Sequence, residues 1–270
     1  MSDKILSNLY PSLMPSSKMP VFFIGHGSPI NAIQDNAFTQ SLAEMGRSLK
    51  EKPQAIMVVS AHWYTRGTYV NTSPFPKTIY DFSGFPEELY DIEYPAPGAT
   101  DFADAIMEAL PEVRADQKWG LDHGAWSVLV HMFPDADIPV FQMSIDNSKP
   151  IYYHFQFAEQ LRELRDKGVL IIGSGNIVHN LRLWFSKPDP APFDWAVEFD
   201  EWVKGKILTG DYNSLIDYEE QGSPALLSVP TPEHYLPLLY ALALSDDEEE
   251  IRFTYEEVTS AISMRSFRIG

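Results

Sequence analysis

Five of the seven histidines stand in contexts suited to a reactive imidazole. His26 lies in GHGSP, His62 in SAHW, His123 in DHGAW, His179 in IVHN and His234 in PTPEH. An imidazole can offer a nitrogen lone pair to a metal ion or exchange a proton near neutral pH. Glycine on both sides of His26 permits positive φ and close approach of neighbouring groups, as a crowded ligand site requires. His131 and His154 lie inside helical patterns and are assigned to packing or surface. No cysteine is present, so any bound metal must sit on His, Asp or Glu.

Two side chains in PTPEH compete as a further ligand. Read as a helix over 233 to 244, the segment sets His234 on one face with Pro237, Leu238, Ala241 and Leu242, an apolar stripe expected to face the core. Glu233 shares its face with Tyr240 and points toward the rim, where its charge suits a helix N-terminus. His234 is therefore the favoured ligand and Glu233 the alternative.

The elements that must carry these residues are legible as apolar runs bounded by turn residues. VFFIG (21–25), AIMVVSA (55–61), IPVFQMSI (138–145) and VLIIGSG (169–175) read as strands covered on both faces. Helical patterns follow at 100–110, 125–133, 151–168 and 233–244, with Gly168 as a C-terminal stop. This alternation predicts an α/β fold, a three-layer α/β/α arrangement around a central mixed, largely parallel sheet. His26 and His62 then fall at carboxyl ends of strands, where open α/β sheets gather their functional groups. The tail, RFTY (252–255) and SMRSFRIG (263–270), is expected to add antiparallel strands at a sheet edge. The Pro-, Gly- and aromatic-rich stretch 73–99 reads as a lid or pocket-lining loop, and SDDEEE (245–250) as a solvated turn.

Composition narrows the partners. A formal net charge of −18 disfavours a nucleic-acid partner and docking on an anionic membrane. No apolar run approaches the ~20 residues of a membrane span, and the start carries no signal-peptide pattern, so the expectation is a cytoplasmic protein. Residues 1–18 are read as an N-terminal extension and 19–270 as a single catalytic domain, monomeric or homodimeric.

GHGSP, SAHW, YDFSGFP with YPAPG, DHGAW, SGNIVHNL and PTPEHYLPLLY, in this order, resemble the class III extradiol ring-cleavage dioxygenases, the LigB-like family. The likeness is greatest to its 4,5-DOPA extradiol dioxygenase branch and runs from Met19 onward. It implies an oxidoreductase that opens a catechol such as L-DOPA with O2, by 4,5-cleavage to 4,5-seco-DOPA. It also implies Fe(II) for turnover, with Zn(II) able to occupy the site as isolated. By motif, His26, His62 and His234 become metal ligands. His179 matches the family's catalytic base and becomes a further ligand when Zn is bound, and His123 matches a histidine near the substrate oxygens. The wider family uses a glutamate as third ligand, which keeps Glu233 open.

Arg66, Lys77 and Arg182 are candidates for a substrate carboxylate, and Trp63, Phe85, Tyr94 and Trp126 for the walls of a flat pocket. Two other readings compete. A zinc-dependent hydrolase on a related scaffold would use the same histidines, but an all-histidine site lacks the carboxylate base such enzymes keep. A non-enzymatic metal-binding interaction protein would have no use for His123 and His179 beside the ligands.

Overall fold

The computed structural model describes residues 9–186, 191–246 and 248–270. The chain alternates as expected. It begins with β1 (Val21–Gly25), α1 (Ala37–Arg47), β2 (Ala55–Thr65), β3 (Thr68–Asn71), α2 (Thr100–Ala109), β4 (Val113–Asp116), α3 (His123–Met132) and β5 (Val140–Asp146). Next come α4 (Ile151–Glu159), β6 (Val169–Gly175), α5 (Leu181–Ser186), α6 (Asp194–Thr209), α7 (Tyr212–Ile216), α8 (Ser223–Ser228) and α9 (Leu236–Ala243). The strands β7 (Ile251–Tyr255), β8 (Val258–Thr259), β9 (Ile262–Ser263) and β10 (Ser266–Ile269) close the chain.

Eight strands form one sheet in the order β4-β3-β5-β2-β6-β1-β10-β7. Its centre, β5-β2-β6-β1, is parallel, and β10 and β7 add antiparallel at one edge. Every residue of β1 is buried, because both faces are covered. Val21 and Phe23 face a core built with α2, α4, α6 and α9, while Phe22 and Ile24 face a second core built with α1 and α3. Two cores on one sheet make the three-layer α/β/α architecture. Part of the presumed N-terminal extension joins it: Tyr10 is fully buried and its hydroxyl donates to the Gln160 carbonyl at 2.9 Å.

Local differences from the sequence reading have physical causes. The 151–168 helix ends as an α-helix at Glu159 and continues as a 3-10 turn over Arg162–Lys167. Leu161 and Leu164 recur at a spacing of three, which both helix types satisfy over so short a run. Gly168 stops the segment with φ +80°, as expected. The 233–244 helix is likewise divided into a 3-10 turn (Pro232–His234) and α9. Pro237 at its second position has no N–H to donate to the carbonyl of Glu233, the bond a continuous helix would need there. SDDEEE is only partly a solvated turn, its Asp247 lying outside the described residues. Glu249 forms a two-point ion pair with the buried Arg165 guanidinium at 2.5 and 2.7 Å. β2 runs four residues beyond the expected strand, with a register shift against β5 between Val59 and Tyr64. The bulge frees residues 60–63 from β5, and His62 lies within it.

Candidate metal centre

His26 leaves the end of β1 held by both glycines. Gly27 has φ +61°, a left-handed conformation that few side chains tolerate. His234 approaches from the other chain end because Gly175, the last residue of β6, has no side chain. A Cβ there would stand 2.2 Å from the His234 carbonyl oxygen, which instead accepts the Asn176 N–H at 2.8 Å.

The strand register supplies the inner supports. Ser60 of β2 and Ser174 of β6 are direct neighbours across the parallel pair. The Ser174 hydroxyl donates to the Gly124 carbonyl at 2.5 Å and so must accept from His26 Nδ1 at 2.9 Å. That assigns the proton of His26 to Nδ1 and leaves Nε2 with its lone pair. Ser60 donates to Asp122 at 2.7 Å and accepts the backbone N–H of His62 at 3.2 Å. Asp122, fully buried, also caps α3, whose first residue is His123. Burial, then the charge of Asp81, push the Asp122 carboxyl upward, partly offset by hydrogen bonds from Gln142 and Ser60.

On the far side of the rings stands Asp81, from the 73–99 segment. Its Oδ2 lies 3.3 Å from His62 Nδ1 and 3.0 Å from His123 Nδ1. The adjacent carboxylate charge favours the proton of His62 on Nδ1, and its Nε2 stands inward, 3.0 Å from His26 Nε2. His234 completes the group: a ligand nitrogen from each of His26, His62 and His234 lies within 4.8 Å of the others. His179 stacks on His234 with ring centroids 3.5 Å apart and planes 10° apart, and its backbone N–H donates to the Ser228 carbonyl at 2.8 Å. Glu233 Oε1 sits 3.3 Å from His234 Nδ1 and accepts the Thr231 hydroxyl at 2.8 Å.

The electrostatics follow from this crowding. Burial, then the neighbouring imidazoles, hold His26 and His234 well below the ordinary histidine range. Burial and His123 push His62 down to about 3 despite the opposing pull of Asp81, and the same two causes bring His179 to about 4. All four are neutral at pH 7. Two inward lone pairs 3.0 Å apart repel unless an electrophile lies between them, and neutral imidazoles are good ligands for a borderline divalent ion. The donor set fits a metal.

The family described as the catalytic LigB subunit of aromatic ring-opening dioxygenase matches residues 20–265. The chain belongs to this family. LigB dioxygenases are metal-dependent extradiol ring-cleaving oxidoreductases, in keeping with the donor set. Among LigB relatives, a 4,5-DOPA dioxygenase extradiol of Escherichia coli K12 is 46% identical over 96% of this chain and 97% of its own length. A protein of the same name from Beta vulgaris is 39% identical over 85% and 88% respectively. The crystal structure of an uncharacterized protein from Escherichia coli K12 superposes with a TM-score of 0.82 at 43% identity, covering 94% of this chain and all of that one.

Within this LigB fold the five selected histidines converge, and the other two do not. His131 Nε2 meets the Asn31 carbonyl at 2.9 Å, and His154 is buried beside Tyr240. Arg66, Lys77 and Arg182 are exposed. Trp63, Tyr94 and Trp126 are buried, the first stacked on Trp119 and the other two hydrogen-bonded to carbonyls. Among the described residues, the aromatic ring that reaches the cluster is Phe82, edge-on to His123 with centroids 5.6 Å apart. Phe82 and Asp81 lie inside the YDFSGFP string, but nothing in the local pattern distinguishes their side chains. Ser60 and Ser174 gave a fainter signal as hydroxyls in otherwise apolar strands. No described helix is long and apolar enough to cross a membrane.

Proposed function

We propose that this chain is a cytoplasmic, Fe(II)-dependent enzyme that opens L-DOPA or a close catechol with O2 by 4,5-cleavage, giving 4,5-seco-DOPA from DOPA. The observation that carries the reading is the convergence of His26, His62 and His234 within 4.8 Å, beside two further histidines. These three would hold the ion, and Zn(II) suits the same nitrogens in isolated protein. Relatives named for 4,5-DOPA cleavage at 46% and 39% identity support the choice of substrate.

When bound, the iron acidifies the adjacent hydroxyls of a catechol and gives electrons a route between ring and O2. The chain supplies the rest. His179, neutral because its pKa is held at about 4, takes a proton from a substrate hydroxyl through a ring nitrogen. The imidazolium so formed is a strong acid in this buried position and returns the proton to the opened product. His123, its Nδ1–H committed to Asp81, presents Nε2 to the substrate oxygens. Phe82 keeps water from one edge of His123. Glu233, held by Thr231, orients His234 and is not itself the ligand, a reading favoured by its contact with the Nδ1 side of that ring.

The test is to load anaerobically purified protein with Fe(II) and supply L-DOPA, dopamine, caffeate and protocatechuate with oxygen. A yellow ring-opened product with stoichiometric oxygen uptake is expected, fastest with L-DOPA. Absence of uptake with every catechol overturns the proposal, and ester or amide turnover with Zn(II) would replace it by the hydrolase.

A further inference from the structure

We infer that Asp81 is a positioning residue that couples the ligand His62 to His123, so that one carboxylate sets both the metal-binding and the substrate-facing rings. The inference rests on the reading of His62 as a ligand. Asp81 Oδ2 is shared by His123 Nδ1 at 3.0 Å and His62 Nδ1 at 3.3 Å, while Oδ1 accepts the backbone N–H of His123 at 2.9 Å. Two hydrogen bonds from His123 and the close charge contact with His62 therefore converge on one side chain that is only 15% exposed.

The consequence is geometric. The His123 Nδ1–H is committed to Oδ2, which fixes that ring in tautomer and rotation, while the carboxylate charge 3.3 Å from His62 Nδ1 favours the proton of His62 on that nitrogen and leaves its Nε2 turned away. The rings stand 3.9 Å apart between centroids, so a displacement of one is felt by the other. A carboxylate behind a ligating imidazole also raises its basicity toward the metal.

Asp81 can do this only if its own backbone is fixed, and the segment that carries it is fastened on both sides. The Ile79 N–H donates to the Leu121 carbonyl at 2.7 Å, and the Ile79 carbonyl accepts Trp126 Nε1 at 2.9 Å. The Tyr80 hydroxyl donates to the Ile92 carbonyl at 2.7 Å. Phe82 packs against Phe85, Tyr90 and Trp126. The 73–99 segment thus acts here as a fixed wall of the site that brings both Asp81 and Phe82 to His123.

Asp81→Asn tests the role because the amide keeps the shape but removes the negative charge beside His62 and leaves one acceptor oxygen for the two hydrogen bonds from His123. The full chain is titrated anaerobically with Co(II), read by its absorption spectrum, and Fe(II)-saturated protein is assayed with L-DOPA. Asp81→Asn is expected to weaken Co(II) binding about 10–100-fold, to alter the Co(II) spectrum, and to lower kcat at saturating Fe(II) with little change in KM. Asp81→Glu, which restores a carboxylate, should recover part of the Co(II) affinity. In a double-mutant cycle, His123→Ala should cost far less in the Asp81→Asn background than in the wild type. Wild-type Co(II) affinity, spectrum and kcat in Asp81→Asn would overturn the inference alone. A wild-type chain that binds no Co(II), or a His62→Ala variant that binds it normally, would overturn the ligand reading beneath it.

Discussion

Two buried polar clusters in this fold are built on opposite terms. Around Arg265, 2% exposed, every guanidinium nitrogen finds a carboxylate: Asp200 takes Nε and Nη2, Glu201 takes Nη2 at 2.6 Å, and Glu256 takes Nη1. Ser263 completes it by donating to Asp200 at 2.5 Å. Around His26, rings of one kind face one another, the outer nitrogens of His26 and His62 lie against a hydroxyl and a carboxylate, and the inner ones face each other. The first cluster is complete in itself. The second is stabilised only by something brought from outside, and that incompleteness marks it as the working part of the molecule.

The contrast is broken most severely by removing a ligand. His26→Ala or His62→Ala should empty the site, seen as loss of bound metal by elemental analysis together with loss of all turnover. His179→Ala should keep most of the metal yet lose about 10²–10⁴-fold in kcat, the usual worth of a general base. Equal metal loss in all three would make His179 a ligand. In the third-ligand comparison, metal loss in His234→Ala but not in Glu233→Gln is expected.

At the complete cluster, Arg265→Met strands buried Asp200 without a counter-ion and should cost about 3–5 kcal/mol, measured by urea unfolding. Metal should stabilise the wild type instead, by about 2.7 kcal/mol at a free concentration a hundred times Kd. The same metal increment should appear in any Arg265 variant that still folds.

The smaller effect is on pH dependence. Unfolded imidazoles titrate near 6.5, whereas His179 and His62 are held at about 4 and about 3 in the fold. Between these limits the unfolded chain binds more protons, so metal-free protein should lose stability as pH falls from about 6.5 toward 4. Glu249 behaves differently. Burial alone would push it up, but hydrogen bonds from Arg165 and the Asp246 N–H, with Lys18, bring it down to about 2 from 4.5. Its contribution is present above pH 4.5 and fades only below it. Urea midpoints of chelator-treated protein should therefore show an upper acid limb that shrinks in His179→Gln. A lower limb should shrink in Glu249→Gln.

Much of the site was readable because histidines beside glycine, serine and proline at strand ends carry a local signature. GHGSP and SAHW are such places, and both rings reach the cluster. The sheet was readable for a similar reason, since apolar runs such as VLIIGSG need both faces covered. What stayed hidden depends on pairing across the chain. The alignment of Ser60 with Ser174 is a matter of strand register, and the reach of Asp81 to two rings depends on how a non-repeating segment folds back. The break in the 233–244 helix was written in Pro237, but a periodicity argument weighs apolar spacing and passes over a missing donor. The dividing line is distance along the chain.

That line bears on how the protein is made. β1, which carries His26 at its end, pairs on one side with β6 and on the other with β10, so Val21 lies opposite both Ile171 and Ile269. A ribosome delivers the first of these residues long before the last. Until the final strand emerges, Phe22 and Phe23 belong to an exposed, sticky edge, which is a hazard during synthesis. Metal capture is expected to be among the last events of biogenesis. Chains stalled before Ser266 should retain no metal on affinity purification, whereas chains released at full length should.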